Sequence, residues 1–184
     1  MIEWLHSLES IIERLDLSPL AEKPVHAEAA TAPSKQQSKD IFIVHGHDEA
    51  AKQEVARFIK ILGLQAIILH EQPDKGRTII EKLEDHTEVG FAVILLTPDD
   101  MGHPKGEPDK AKPRARQNVV LELGYLIGKL GRSSVCALMK GDIEIPSDYA
   151  GVLYESMDNA GAWKLTLARE IRAAGIDEGL TEYL

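Results

Sequence analysis

Ile41-Phe-Ile-Val44, followed at once by His45-Gly-His-Asp48 and then by Glu49 to Leu62, is the stretch that decides how this chain folds. Four consecutive apolar residues, all β-branched or aromatic and with no polar alternation, have the pattern of a strand buried on both faces. Behind them the period changes. Val55, Phe58, Ile59 and Leu62 recur at spacings of three and four, and Gly63 ends the run as a glycine ends a helix. Asp48 stands where a helix N-cap belongs. Strand, polar turn and helix form the first unit.

Working outward, the same unit returns. Gln65-Ala-Ile-Ile-Leu-His70 reads as a second strand, and the loop Glu71–Arg77 leads into a helix from Thr78. That helix turns Ile79, Ile80 and Leu83 inward, and Thr78 with Glu81 has the capping-box form. Phe91–Thr97 is a third strand, followed by a Pro/Gly/Lys-rich loop from Pro98 to Pro113 and a helix within Arg114–Gly131. A fourth strand at Ser134–Met139, a weaker fifth at Val152–Ser156 and a helix from Ala162 to about Ala174 complete the series. Alternation with continuous apolar strands predicts an α/β fold with a flavodoxin-like, five-stranded parallel sheet and helices on both faces. In such sheets ligands bind beyond the carboxyl ends of the strands, near the switch between strands one and three. Loops 45–48, 71–77 and 97–117 converge there.

This domain is expected over residues 40–184. Ahead of it, residues 1–17 repeat Ile2, Leu5, Leu8, Ile12 and Leu15 at helical spacing. So short an amphipathic helix is not stable alone and must dock, with self-association or a partner favoured. Residues 18–39, rich in Ala, Pro, Ser, Gln, Glu and Lys and without an aromatic, read as a flexible linker.

Composition narrows the function classes. A hydrophobic content of 43% with 28% charged residues is that of an ordinary globular protein. The net charge of −9 argues against a nucleic-acid backbone as the main partner. Lys105, Lys110, Lys112, Arg114 and Arg116 form the one basic cluster, and Glu107 and Asp109 interrupt it. A single cysteine, Cys136, excludes an intrachain disulfide. With no apolar run long enough to span a membrane and no signal-peptide pattern, a cytoplasmic location is expected.

The helix within Arg114–Gly131 carries the chemistry. At roughly 100° per residue, Val119, Val120, Leu123, Leu126, Ile127 and Leu130 fall in one arc that faces a core. Glu122 lies at the arc's edge in a strip with Asn118, Tyr125 and Lys129, while Gly124 and Gly128 share another side. With Leu126 at i+4, Glu122 has no cation one turn on, although a solvated surface glutamate is the plain alternative. His45 and His47 flank Gly46, a position permitting close backbone approach to a ligand. The pair suggests metal only weakly, because no further ligand cluster follows. No Gly-x-Gly-x-x-Gly, Walker loop or nucleophile elbow is present, and turn formation explains Asp99-Asp100. A lone carboxylate without metal or nucleophile suits N-glycosidic cleavage, in which it stabilises an oxocarbenium-like ribose. When the leaving group is already cationic, as nicotinamide is in NAD+, no general acid is required.

Four segments in order, Ile41–Asp48, Glu71–Glu81, Phe91–Asp99 and Arg116–Gly124, resemble the TIR-like effectors of bacterial anti-phage systems of the CBASS and Pycsar type. The likeness covers residues 40–175. It implies a TIR fold, NAD+ as substrate rather than cofactor, and products nicotinamide and ADP-ribose or a cyclic isomer. Glu122 matches the family's catalytic glutamate, with Asn118 where a small polar residue is frequent. His45, Gly46 and His47 match the substrate loop. Loop 71–77 corresponds to the BB loop, which gates the site and helps copies assemble; Asp74 and Arg77 within it, and Arg116, are expected substrate contacts. Its signature survives only loosely, as Pro73-Asp-Lys-Gly-Arg77. The resemblance further implies self-association and an activating signal such as a cyclic nucleotide. Two other readings stand beside it: a non-catalytic TIR adaptor or nucleotide-binding module, and a nucleoside deoxyribosyltransferase-like enzyme.

Overall fold

The computed structural model describes residues 38–68, 81, 84, 89–145 and 151–176. Residues 1–17, nearly all of the 18–39 segment, and loop 71–77 with Asp74 and Arg77 lie outside them. Five strands form one sheet: β1 (Asp40–Val44), β2 (Gln65–Ile68), β3 (Phe91–Leu96), β6 (Val135–Met139) and β7 (Leu153–Ser156), ordered β2-β1-β3-β6-β7. Every pairing in it is parallel, with Ile41 opposite both Ala66 and Phe91. This is the flavodoxin-like order expected, and it puts the switch point between β1 and β3.

The period of two along each strand divides the core into two layers. Ile41, Ile43, Val93, Leu95 and Cys136 face one way and pack on Val55, Phe58 and Ile59 of α1 (Glu49–Ile61) and on Trp163, Leu167 and Ile171 of α3 (Ala162–Ala173). Phe42, Val44, Ile94, Leu96 and Ala137 face the other way and meet Val119, Leu123 and Leu126 of α2 (Gln117–Leu130). Helices thus cover both faces. Cys136 lies within the first layer, and burial pushes its thiol up to about 12.

The Pro98–Pro113 segment is not the plain loop its composition suggests. It folds into an antiparallel two-stranded ribbon, β4 (Asp100–Gly102) with β5 (Lys112–Arg114), joined through a 3-10 turn at Pro108–Lys110. Strands of three residues are too short to show a period. Pro113, opposite Met101, is tolerated because a two-stranded ribbon has edges on both sides. Drawing Arg114 into β5 also delays the helix: Arg116 is the N-cap residue, extended at φ −57° and ψ 144°, and α2 begins at Gln117. At the other end Gly131 takes a φ of 85°, where a side chain would be strained, and its N–H closes the last turn on the Ile127 carbonyl at 3.0 Å.

Candidate active site

Three peptide segments reach the carboxyl edge of the sheet around the switch point: residues 45–48 after β1, 97–99 after β3, and the start of α2. The first is held at both ends. Asp48 caps α1 by accepting the Ala51 N–H at 2.9 Å, and its other oxygen takes the Lys140 ammonium at 2.6 Å. Lys140 follows β6, so this pair ties the loop after β1 to the end of a strand two positions away in the sheet. The Lys140 ammonium, with the backbone bond from Ala51, holds the Asp48 carboxyl below its usual range. His45 is buried and its Nδ1–H donates to the Gly46 carbonyl at 2.8 Å, whereas His47 is exposed.

Gly46 has a reason to be glycine that its sequence does not disclose. A Cβ there would collide with the Asp99 carboxylate. This side chain, from the loop after β3, makes a close approach at that position. Asp99 is fixed in turn by the Thr97 hydroxyl, which donates to its Oδ2 at 2.7 Å, and by its own N–H on the Thr97 carbonyl at 2.8 Å. The turn read from Asp99-Asp100 is therefore present, and it also locks the β1 and β3 loops together. Only the nonlocal contact was hidden.

Glu122 is the buried acid of the site. It sits on the second turn of α2, is 3% exposed, and is flanked by fully covered Val119, Leu123 and Leu126. Among the described residues neither carboxylate oxygen has a hydrogen-bond partner. Burial pushes its pKa up to about 7, against a smaller opposing pull from the Arg116 guanidinium. An ionised carboxylate in such surroundings is costly without a compensating charge or donor.

The other predicted residues divide. Arg116 stands close enough to act on Glu122 electrostatically. Asn118, one turn before Glu122 in sequence, is exposed. Tyr125 and Lys129 are half-buried, with the ammonium 5.6 Å from the ring centroid. Of the predicted apolar arc, Val120, Ile127 and Leu130 are half-buried at the margin of the layer, and Leu121, which lies outside that arc, is 63% exposed. Asp74 and Arg77 lie outside the described residues. Among those described, no three His, Cys, Asp or Glu side chains gather as a metal site, and no helix is long and apolar enough to cross a membrane.

Comparison with known proteins gives the geometry a context. The family described as CAP12/Pycsar effector protein, TIR domain, matches residues 40–159. YuaY of Escherichia coli (strain K12) is 56% identical over 140 residues, covering 76% of this chain and 46% of that protein. Protein tirC of Dictyostelium discoideum is 37% identical over 126 residues, 62% of each chain. The Pycsar effector protein PaPycTIR of Pseudomonas aeruginosa is 37% identical over 76 residues, 40% of this chain and 24% of its own length. In each case the match spans less than two thirds of the relative.

Proposed function

Because the chain belongs to the CAP12/Pycsar effector TIR family through the domain just described, we propose that it is an NAD+ glycohydrolase with Glu122 as its catalytic carboxylate, acting in antiviral defence through loss of NAD+. One observation carries the reading: a fully buried acid at the switch-point edge whose two oxygens are unpartnered among the described residues. NAD+ offers partners that the described residues do not provide. Its nicotinamide ring is cationic, and its ribose offers hydroxyl donors.

In the reaction the C1′–N bond breaks and its electron pair leaves with nicotinamide, which departs neutral. Positive charge passes to the ribose as an oxocarbenium, and the ionised Glu122 stabilises it. Water then adds to C1′ and releases a proton, giving ADP-ribose; capture by a nucleophile of the same molecule gives a cyclic isomer. With its pKa at about 7, Glu122 is divided between protonated and ionised forms in the free protein near neutrality. A docking cation shifts that balance toward the carboxylate. The exposed His47 stands on the adjoining loop as a substrate contact, and buried His45 helps to shape that loop. Gly46 belongs to the packing of the two loops through Asp99. In the same reading, loop 71–77 and residues 1–17 bring copies together, and a nucleotide signal promotes that assembly.

Incubating the protein with NAD+ and following nicotinamide by chromatography tests the proposal. Glu122→Gln is expected to lower release about 100-fold or more, the scale of losing a transition-state electrostatic partner, with an unchanged circular dichroism spectrum. Release at the wild-type rate would remove Glu122 from catalysis. Base exchange on deoxynucleosides, or tight NAD+ binding with no nicotinamide formed, would point instead to a deoxyribosyltransferase-like enzyme or to a non-catalytic module.

A further inference from the structure

The β4–β5 ribbon encloses a hollow of about 410 Å³ whose walls include Gly102, His103, Lys110, Lys112, Arg114 and Glu144. Among its described walls three cationic side chains meet one carboxylate, in a chain whose net charge is −9. Lys110 reaches back to Glu107, which neutralises it locally. Arg114 has no such relief. Among the described residues it pairs with no carboxylate, and its Nε–H is shut off from water without a hydrogen-bond partner. Glu144 is joined to this strand through backbone only, by its N–H on the Pro113 carbonyl at 2.8 Å and a bridge to Arg114. A buried guanidinium donor without a partner is uncommon enough to need an explanation.

The position of Arg114 is built rather than incidental. Its side chain lies across Gly102, where a Cβ would come within 2.7 Å of Cδ and 2.9 Å of Nε. Only glycine at 102 leaves that bed for the guanidinium. Nearby, the His103 Nδ1–H donates to the Pro104 carbonyl at 2.9 Å, which leaves Nε2 for another partner. A planar guanidinium held in place, a lysine and an imidazole edge are the groups that recognise phosphoryl oxygens.

We propose that this hollow is a binding site for a phosphate-bearing ligand, held by Arg114 and Lys112 with His103 and Lys110 at its margin. The assignment rests on the ribbon's own geometry and not on the reaction proposed above. The phosphate has two sources to separate: the diphosphate of a dinucleotide reaching across from the Glu122 site, or a phosphorylated molecule that binds here alone.

The test is calorimetric titration of the full chain with inorganic pyrophosphate at fixed ionic strength. Lys110→Ala/Lys112→Ala alters only exposed side chains and is expected to weaken binding about tenfold, the scale of losing charge-assisted hydrogen bonds. Gly102→Ala, which evicts Arg114 without touching a charge, is expected to weaken it as well, and Glu122→Gln to leave it unchanged. Adding ADP-ribose separates the sources: competition with pyrophosphate places the dinucleotide's own diphosphate here, and independent binding identifies a separate ligand. Equal affinity in the wild type and both ribbon variants, or no binding by the wild type at millimolar pyrophosphate, overturns the proposal.

Discussion

The two faces of the sheet use the same strands to opposite ends. On the α1/α3 face the interior is apolar and its large rings interlock, with Phe58 edge-on to Trp163 at 5.6 Å and 76°. Among the described residues its buried ammonium, Lys52, is paired with Glu49, and the neutral Trp163 Nε1–H is unmet. On the α2 face the packing is as tight around Val119, Leu123 and Leu126, yet an ionisable acid is set among them with no hydrogen-bond partner among the described residues. One layer is arranged for stability. The other gives some up to keep a carboxylate in a state that water or a salt bridge would quench. Because the strands alternate, the cost of Glu122 falls on a layer the Trp163 core does not share.

The contrast is most exposed to failure at Trp163. Trp163→Ala is expected to cost about 3–5 kcal/mol, read as a lower urea midpoint; a loss under 1 kcal/mol would mean that this face is not the structural one. Glu122→Gln should do the reverse. A glutamate whose folded pKa is raised from 4.5 to about 7 binds more protons folded than unfolded, so wild-type stability falls as pH rises between those values and levels off above. The loss amounts to about 3 kcal/mol. Glu122→Gln should abolish that slope and be the more stable protein at pH 8 while matching wild type near pH 4.5. Parallel slopes for the two proteins would show that Glu122 is not the source.

Two smaller effects sharpen the comparison. If the ionised form is the active one, kcat/KM for NAD+ rises through about pH 7 and flattens above. Arg116 pulls the Glu122 pKa down, so Arg116→Ala should move the midpoint of that rise upward; a downward move or none would contradict the assigned electrostatics. The smallest change belongs to Lys140. Its pair with Asp48 is partly exposed, and Lys140→Ala is expected to cost less than about 1 kcal/mol at neutral pH. Because Asp48 is depressed, this contribution exists above its unfolded pKa and disappears as pH falls through the folded value. Wild type and Lys140→Ala should therefore converge in acid.

How much of this could be read beforehand follows the range of the interactions. Ile41–Val44 and Phe91–Leu96 declare buried strands by composition alone, and their alternation with helices yields the sheet order because few connections are allowed. Glu122 stands out since its chain neighbours Leu121 and Leu123 are apolar and no cation stands at i+4. Its full burial did not follow, for the sheet that covers it comes from distant sequence. The β4–β5 ribbon was illegible because its strands are three residues long and polar. The Asp99–Gly46 packing and the Asp48–Lys140 pair, 92 residues apart, have no local sequence trace at all.

Cys136 turns the stable face into a clock. The chain has one thiol, it lies wholly inside the α1/α3 layer, and its high pKa keeps it out of the nucleophilic form. An alkylating reagent can reach it only in molecules whose central strands have parted, so the labelling rate gauges how frequently the interior opens, with no probe introduced and no reference to the chemistry on the opposite side.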